Sequence, residues 1–338
     1  MIRLAMIGIG KMGLSHFAIL SANPNVEIVA ACDNTAFLTA AVKQQMGLKT
    51  YKDTKKMLKD ETLDAVVIST PNSTHFDVAK MALEKGINVF LEKPLCLDPT
   101  ESKILAELAK KNALVNQVGY HNRFIGTFQE TKRLVKAGAI GEIYHVEGTA
   151  FGQVVIRPKK GLTWRSKKSE GGGCLHDYAC HVVDLMNFIA EPPSSVRSAQ
   201  LQSIFSENIE DAVFATFDYT SGATGYLEAN WSDQSYRKMS TTIKVLGKKG
   251  KIVVDRQEMR IYLKPGEKFE SLQDGWTSKY ITELQKPVNF YLRGEEYSSQ
   301  LDQFISVIQG KNREVETSFE TAAETDRIID MIATKGSK

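Results

Sequence analysis

Gly8-Ile9-Gly10-Lys11-Met12-Gly13 follows directly on an apolar run, Ile2 to Ile7, and leads into a helical stretch from Leu14 to Ala22. A strand that turns through spaced glycines into a helix leaves few choices of fold. The first glycine allows a tight turn, the second lets backbone approach a ligand, and the third lets helix and strand pack closely. The helix start then directs its unbonded N–H groups at whatever sits over the turn, which favours a pyrophosphate. A second strand, Val26 to Cys32, ends at Asp33. A carboxylate there accepts hydrogen bonds from both hydroxyls of an adenosine ribose and repels a 2′-phosphate. The other reading of Asp33 is a cap for the helix that begins near Thr35. Taken together the pattern predicts a dinucleotide site, with NAD rather than NADP as the cofactor.

The alternation continues. Helices are expected over Ala36 to Met46, Asp53 to Lys59, His75 to Lys85 and Thr100 to Lys111, and strands over Ala65 to Ser69, Asn88 to Leu91 and Leu114 to Tyr120. Such a chain builds a parallel, doubly wound sheet. Its ligands bind outside the carboxyl ends of the strands. Gly8, Asp33, Thr70, Lys93 and His121 all follow strand ends and share that edge. Ser69-Thr70-Pro71-Asn72, His75 and Glu92-Lys93-Pro94 belong to the same region. A lysine is ordinarily a solvated surface charge. One set between Glu92 and Pro94 at the mouth of a dinucleotide crevice is a functional candidate.

The character changes near Tyr120 to Phe124. After a helix around Thr127 to Ala137, Ile143 to Phe151, Val196 to Phe205, Ala212 to Tyr219, Thr224 to Trp231, Thr241 to Leu246 and Lys251 to Val254 read as strands separated by turns. Val288 to Leu292, a helix from Ser298 to Gln309 and a last helix opened by the capping box Thr317-Ser318-Phe319-Glu320 follow. The expected organisation is a dinucleotide-binding domain over residues 1–122. A second α/β domain on a mostly antiparallel sheet is expected over residues 123–338.

Gly171-Gly172-Gly173 opens another helix. Leu175, Ala179, Val182, Met186 and Ile189 fall on one face, and Asp177, His181 and Asp184 on the opposite one. An imidazole one turn from a carboxylate is either a solvent-exposed ion pair or part of a proton relay. Three successive glycines are costly to order and are expected where backbone passes close to something. Cys174, His176, Cys180 and His181 lack the spacing of a zinc site, so no metal is expected. The segment Arg157 to Lys168 carries six positive charges and no acid. It reads either as a solvated loop or as a site for a cofactor phosphate or an acidic sugar.

Composition narrows the partners. A net charge of +3 over 338 residues gives no footprint for nucleic acid. No apolar run is long enough to span a bilayer, and Ile2 to Ile9 lacks the parts of a secretory signal. The four cysteines show no paired framework, which predicts a reducing cytoplasm.

The glycine fingerprint, Glu92-Lys93-Pro94 and the Gly171–Asp184 motif, in that order, resemble the family of glucose–fructose oxidoreductase and inositol 2-dehydrogenase (Gfo/Idh/MocA). The resemblance covers most of the chain in architecture and is specific mainly over residues 1–124 and 164–184. It implies a Rossmann domain plus an α/β domain whose open sheet makes a homodimer or homotetramer. It implies NAD-dependent conversion between a secondary alcohol and a ketone on a sugar, cyclitol or nucleotide sugar. Lys93, Asp177 and His181 then match the catalytic lysine, aspartate and histidine, and the Lys93–Pro94 peptide is expected to be cis. Trp164-Arg165, Thr70-Pro71-Asn72 and His75 match segments near the cofactor, joining Gly8 to Gly13, Asp33, Ser69, Glu92 and Lys93. Candidate substrate contacts are Lys93, Tyr120, Arg123, Asp177, Tyr178 and His181, with Lys93, Asp177 and His181 expected to meet the reacting carbon in the cleft between the domains. Many relatives have a small aliphatic residue where Tyr178 stands, so Tyr178 either intrudes on the pocket or packs. A minority reading is a sensor of sugar or cofactor without turnover.

Overall fold

The computed structural model describes residues 1–154, 167–312 and 314–336. The chain divides into two compact units, Met1–His121 with Pro287–Ala323, and Asn122–Lys286 with the residues from Glu324 on.

The first unit is a six-stranded parallel sheet. Its strands are β1 (Ile2–Ile7), β2 (Val26–Cys32), β3 (Lys49–Tyr51), β4 (Ala65–Ile68), β5 (Asn88–Leu91) and β6 (Asn116–Val118), in the order β3-β2-β1-β4-β5-β6. The order reverses between β1 and β4, and the carboxyl ends at that reversal are where such sheets take ligands. Leu4 to Ile7 and Ala65 to Ile68 are buried along their whole length. Helices packed on both faces explain why these strands read as unbroken apolar runs. The connecting helices are α1 (Lys11–Ser21), α2 (Ala36–Met46), α3 (Thr54–Asp60), α4 (His75–Glu84) and α5 (Pro99–Lys111). α3 begins where Asp53 accepts the Lys56 N–H, and α5 begins at Asp98 with Pro99 in the first helical position.

The expectation of one continuous second domain over 123–338 is corrected here. Pro287–Ala323 folds with the first unit. Leu301, Phe304 and Ile305 of the helix Glu295–Ile308 join Leu4, Met6, Ile19, Leu20 and Phe90 in one core cluster. The same segment covers the β6 edge. The Val118 N–H donates to the Thr317 carbonyl at 2.8 Å, the Thr317 hydroxyl donates to the Val118 carbonyl at 2.7 Å, and the Phe319 N–H donates to Asn116 Oδ1 at 2.7 Å. An open strand edge leaves backbone groups unpaired, and this return removes that liability. Thr317 is thereby engaged, so Ser318 caps the last helix by accepting the Thr321 N–H.

The second unit is an eight-stranded sheet. It contains β7 (Ile143–Phe151), β8 (Ser195–Gln202), β9 (Ala212–Asp218), β10 (Thr224–Asn230), β11 (Ser240–Gly247), β12 (Gly250–Val254), β13 (Glu258–Leu263) and β14 (Gly275–Tyr280), in the order β14-β13-β12-β11-β7-β10-β9-β8. Among the described strands of this sheet only β7 and β10 pair in parallel. β13 and β14 extend the sheet past the expected strands, and Val288–Leu292 forms none. One face carries α6 (Gly126–Lys136) and α7 (Cys180–Ile189). A side chain at Gly148 of β7 would overlap Val182 and meet Met186, so its absence lets α7 lie directly on the sheet. The other face is mixed: Phe151, Phe214, Tyr226 and Tyr262 alternate into it beside the Lys244–Glu147 ion pair at 3.1 Å. Among the described residues no helix is long and apolar enough to cross a membrane.

Candidate active site

The three glycines of the first turn are required for three different reasons. Gly8 has φ +87°, and a Cβ on it would lie 2.6 Å from the Ser69 carbonyl oxygen. A Cβ on Gly13 would overlap the Gly8 carbonyl. Gly10 has nothing within 4 Å of its missing Cβ. The protein's own packing therefore excludes side chains at Gly8 and Gly13 but leaves open space over Gly10. That is the point where a pyrophosphate approaches backbone. Gly10 is also the N-cap of α1 and supplies no side-chain hydrogen bond, so Lys11 and Met12 open a helix whose first N–H groups suit an anion. The residues present fit a dinucleotide.

Asp33 stands at the end of β2, half-buried. Its Oδ2 accepts the Ile9 N–H at 2.7 Å and its Oδ1 accepts the Thr35 N–H at 2.8 Å. Asp33 therefore bridges the glycine loop and the start of the β2–α2 connection, while Thr35 stands at the N-cap of α2 and supplies no side-chain hydrogen bond. The Ser69 hydroxyl donates to the Gly8 carbonyl at 2.9 Å, which ties the β4 end to the same loop. Pro71 and Asn72 begin a short 3-10 turn, closed by the Thr74 hydroxyl on the Pro71 carbonyl at 2.8 Å.

His75 does not line a cofactor surface, contrary to expectation. Its ring is fully buried, with Nδ1 2.8 Å from the Pro94 carbonyl and Nε2 3.1 Å from the Thr70 carbonyl. Burial pushes its pKa down. Glu92, also expected at the cofactor, has Oε1 2.6 Å from Nε2 of His16 on α1. Burial penalises its charge, yet the His16 ring and the Lys93 ammonium hold it below the usual carboxylate range. Lys93 is half-buried and the Lys93–Pro94 peptide is cis.

In the second unit the glycine triplet has a specific cause. Gly171 has φ +69° and ends a 3-10 turn over Lys168–Glu170. Gly173 has φ +108°, and a Cβ there would overlap the Glu210 carboxylate. Glu210 Oε1 accepts the Leu175 N–H at 3.0 Å, and the Glu210 carbonyl accepts the Cys174 N–H at 3.0 Å. Burial pushes the Glu210 carboxyl up. Sequence reasoning missed Glu210, because one of several acids in a turn between strands carries no signal. The backbone passes close to something here, as three glycines suggested, and that something is a carboxylate of the protein itself.

The helix is not the simple two-faced cylinder expected. Leu175–Ala179 forms a π-type turn, in which the Cys180 N–H reaches back to the Leu175 carbonyl, and α7 follows. Such turns shift every later residue around the axis and recur at functional sites. The polar residues are not solvent-exposed: Asp177 is 6% exposed, His181 5% and Asp184 1%. Arg123, expected at the substrate, instead meets Asp184, with Nε 2.9 Å from Oδ2 and Nη2 2.6 Å from Oδ1. Its guanidinium also lies 5.2 Å from the Phe188 ring centre. Burial pushes the Asp184 carboxyl up, and Arg123 opposes the rise. Tyr178 packs: its hydroxyl occupies the space of a Gly152 side chain, and its ring stands edge-on to Trp231 at 6.1 Å. Tyr120 is buried at the end of β6. Trp164 and Arg165, and the basic segment up to Ser166, lie outside the described residues. All four cysteines are buried, and none forms a disulfide.

A sheet whose strand order reverses beside an open glycine turn defines a dinucleotide-binding domain. Residues 2–120 match the family model described as "Oxidoreductase family, NAD-binding Rossmann fold", and residues 128–253 match the GFO/IDH/MocA C-terminal domain. The chain belongs to this Gfo/Idh/MocA family of NAD-dependent oxidoreductases. It is 29% identical to scyllo-inositol 2-dehydrogenase (NAD(+)) of Bacillus subtilis (strain 168), over 84% of each chain. It is 28% identical to D-glucoside 3-dehydrogenase of Escherichia coli (strain K12), over 68% of this chain and 70% of that one. In fold it matches a levoglucosan dehydrogenase in complex with NADH, with a TM-score of 0.87 and 24% identity, over 99% of this chain and 97% of the other.

Proposed function

We propose that this enzyme oxidises a secondary hydroxyl of a sugar or cyclitol to a ketone. The observation that carries the reading is a nearly buried Asp177 and His181 on one helix, entered through a turn that only glycine fits. The named relatives, dehydrogenases of a cyclitol and a glucoside, support the substrate class. NAD, held over the Gly8–Gly13 turn, would supply the hydride acceptor. His181 takes the hydroxyl proton as general base, Asp177 orients the ring and favours its charged form, and the Lys93 ammonium favours negative charge developing on the oxygen. Tyr120 is a further candidate contact with substrate. Four thiols without a disulfide support a cytoplasmic setting.

The test is turnover of NAD with a panel of cyclitols and glucosides, followed at the reduced-nicotinamide absorbance. Sugar binding without any absorbance change points to a sensor instead. NAD is expected to exceed NADP in kcat/KM. Asp33→Ser narrows that gap, but because Asp33 also holds the Ile9 and Thr35 N–H groups, it is expected to weaken both cofactors about tenfold. Equal use of both cofactors by the wild type places the Asp33 carboxylate away from the ribose.

The mixed outer face of the eight-stranded sheet, broad and part aromatic, supports a homo-oligomer, a dimer or tetramer. Light scattering at micromolar concentration is expected to give a multiple of the chain mass; a monomer contradicts it.

A further inference from the structure

His16 sits on the inner face of α1, one turn after Gly13, beside the core residues Ile19 and Leu20. Its ring stands edge-on to Phe90 at 5.2 Å, and its Nε2 meets Glu92 Oε1 at 2.6 Å. The other oxygen of Glu92 accepts the Lys93 N–H at 3.3 Å. Gly119 leaves room for this carboxylate: a Cβ there would lie 3.1 Å from Glu92 Cδ and both oxygens. Enclosing a carboxylate is costly without a partner, and here the partner is supplied by the helix that opens over the cofactor turn. On the far side of the lysine, the buried ring of His75 spans the carbonyls of Pro94 and Thr70. A neutral ring donates through one nitrogen only, and the shorter contact, 2.8 Å, gives that proton to the Pro94 carbonyl, so Nδ1–H ties the residue after Lys93 to α4, on which His75 stands.

We propose that His16 and His75 are positioning residues for Lys93. One holds the residue before it through a side chain, and the other holds the residue after it through a carbonyl. Both stand on helices of the dinucleotide-binding unit, so the lysine is mounted on the elements that receive the cofactor. Neither histidine is a catalytic residue, and neither they nor Glu92 need touch the cofactor. The proposal rests on the reading of Lys93 as the cation at the substrate oxygen. A misplacement of about 1 Å in such a group costs up to about 100-fold in rate.

The test compares His16→Leu with His16→Gln, whose amide nitrogen reaches about the place of Nε2, and His75→Leu with His75→Asn, whose amide nitrogen matches Nδ1. Three quantities are measured: kcat with KM, NADH affinity by fluorescence, and the rate of reductive methylation of Lys93 by mass spectrometry, with Lys103 as the reference. Each leucine variant is expected to lower kcat about 10–100-fold. NADH affinity stays within about threefold, and Lys93 labelling changes several-fold while Lys103 labelling holds. The amide variants restore both kcat and labelling. Unchanged Lys93 labelling in the leucine variants overturns the proposal, as do amide variants that behave no better than leucine. The polar His16→Asn and His75→Gln, with amides misplaced for the same bonds, stand in for a leucine variant that fails to fold. A wild type that turns over no sugar sinks the functional reading alone, because the labelling comparison needs no substrate.

Discussion

His181→Ala is expected to lower kcat about 10²–10⁴-fold while leaving NAD affinity nearly unchanged. The proton of a secondary alcohol is too weakly acidic to leave unaided near neutral pH. A base within hydrogen-bond reach must take it as the hydride departs. Imidazole, with an unperturbed pKa of about 6.5, is the side chain closest to working pH. His181 is 5% exposed on α7, a turn after Asp177, so its proton traffic is directed at a partner rather than at bulk water. Oxidation is expected to rise with pH as this ring loses its proton, and the alanine variant is expected to lose that limb. Asp177→Asn keeps the shape and removes the charge that favours the imidazolium, so it is expected to lower kcat with little change in KM. The measurement is kcat across pH 6 to 10, with NAD affinity measured separately. Near-normal turnover with an unaltered profile moves the base elsewhere. Tyr120 is then the residue to test, since Tyr178 is packed against Gly152 and Trp231.

The first sheet was legible because its information is local. Each β-α alternation, each strand-end glycine and the Asp33 carboxylate are set by neighbours in sequence, and strand order follows from the doubly wound rule. What escaped were contacts made far along the chain. Nothing within Pro287–Ala323 announces that Phe304 will stand against Phe90, or that Thr317 will close the β6 edge rather than cap a helix. β14 escaped for another reason. Gly275–Tyr280 alternates weakly and lies at the sheet edge, so its sequence lacks the buried face that marks a strand.

The site divides in the same way. Gly8, Gly10 and Gly13 were readable individually, because turn geometry dictates each one. The helical spacing of Asp177, His181 and Asp184 was readable too, but their surroundings were not. Helical periodicity assigns faces only when one face meets solvent, and α7 is buried nearly all round. The π-type turn at Leu175–Ala179 then shifts Asp177 relative to His181. His16 left a faint signal, a histidine among the inward-facing Ile19 and Leu20 of α1, where only a partnered ring is tolerated.

Asp184→Ala is expected to destabilise the protein by about 3–5 kcal/mol, the range for breaking one half of a buried ion pair. Arg123 and Asp184 are 4% and 1% exposed at their side chains and meet through two hydrogen bonds, a bidentate geometry. Thr325 adds a third bond to Asp184 Oδ1 at 3.4 Å. Removing the carboxylate takes two hydrogen bonds and the opposing charge from a guanidinium that is 3% exposed and lies beside the Phe188 ring. Arg123→Met leaves Asp184 enclosed instead, but that carboxyl can take up a proton, a route burial already favours. It is therefore expected to cost less than Asp184→Ala at neutral pH, and less still as pH falls. The double variant Arg123→Met with Asp184→Leu removes both charges and keeps apolar volume. It is expected to recover most of the loss, because a buried ion pair and a well-packed apolar pair are close in stability. Urea denaturation of the three variants at two pH values checks the order. A double variant as unstable as Asp184→Ala shows that the pair holds the segment after β6 by geometry that apolar packing cannot replace.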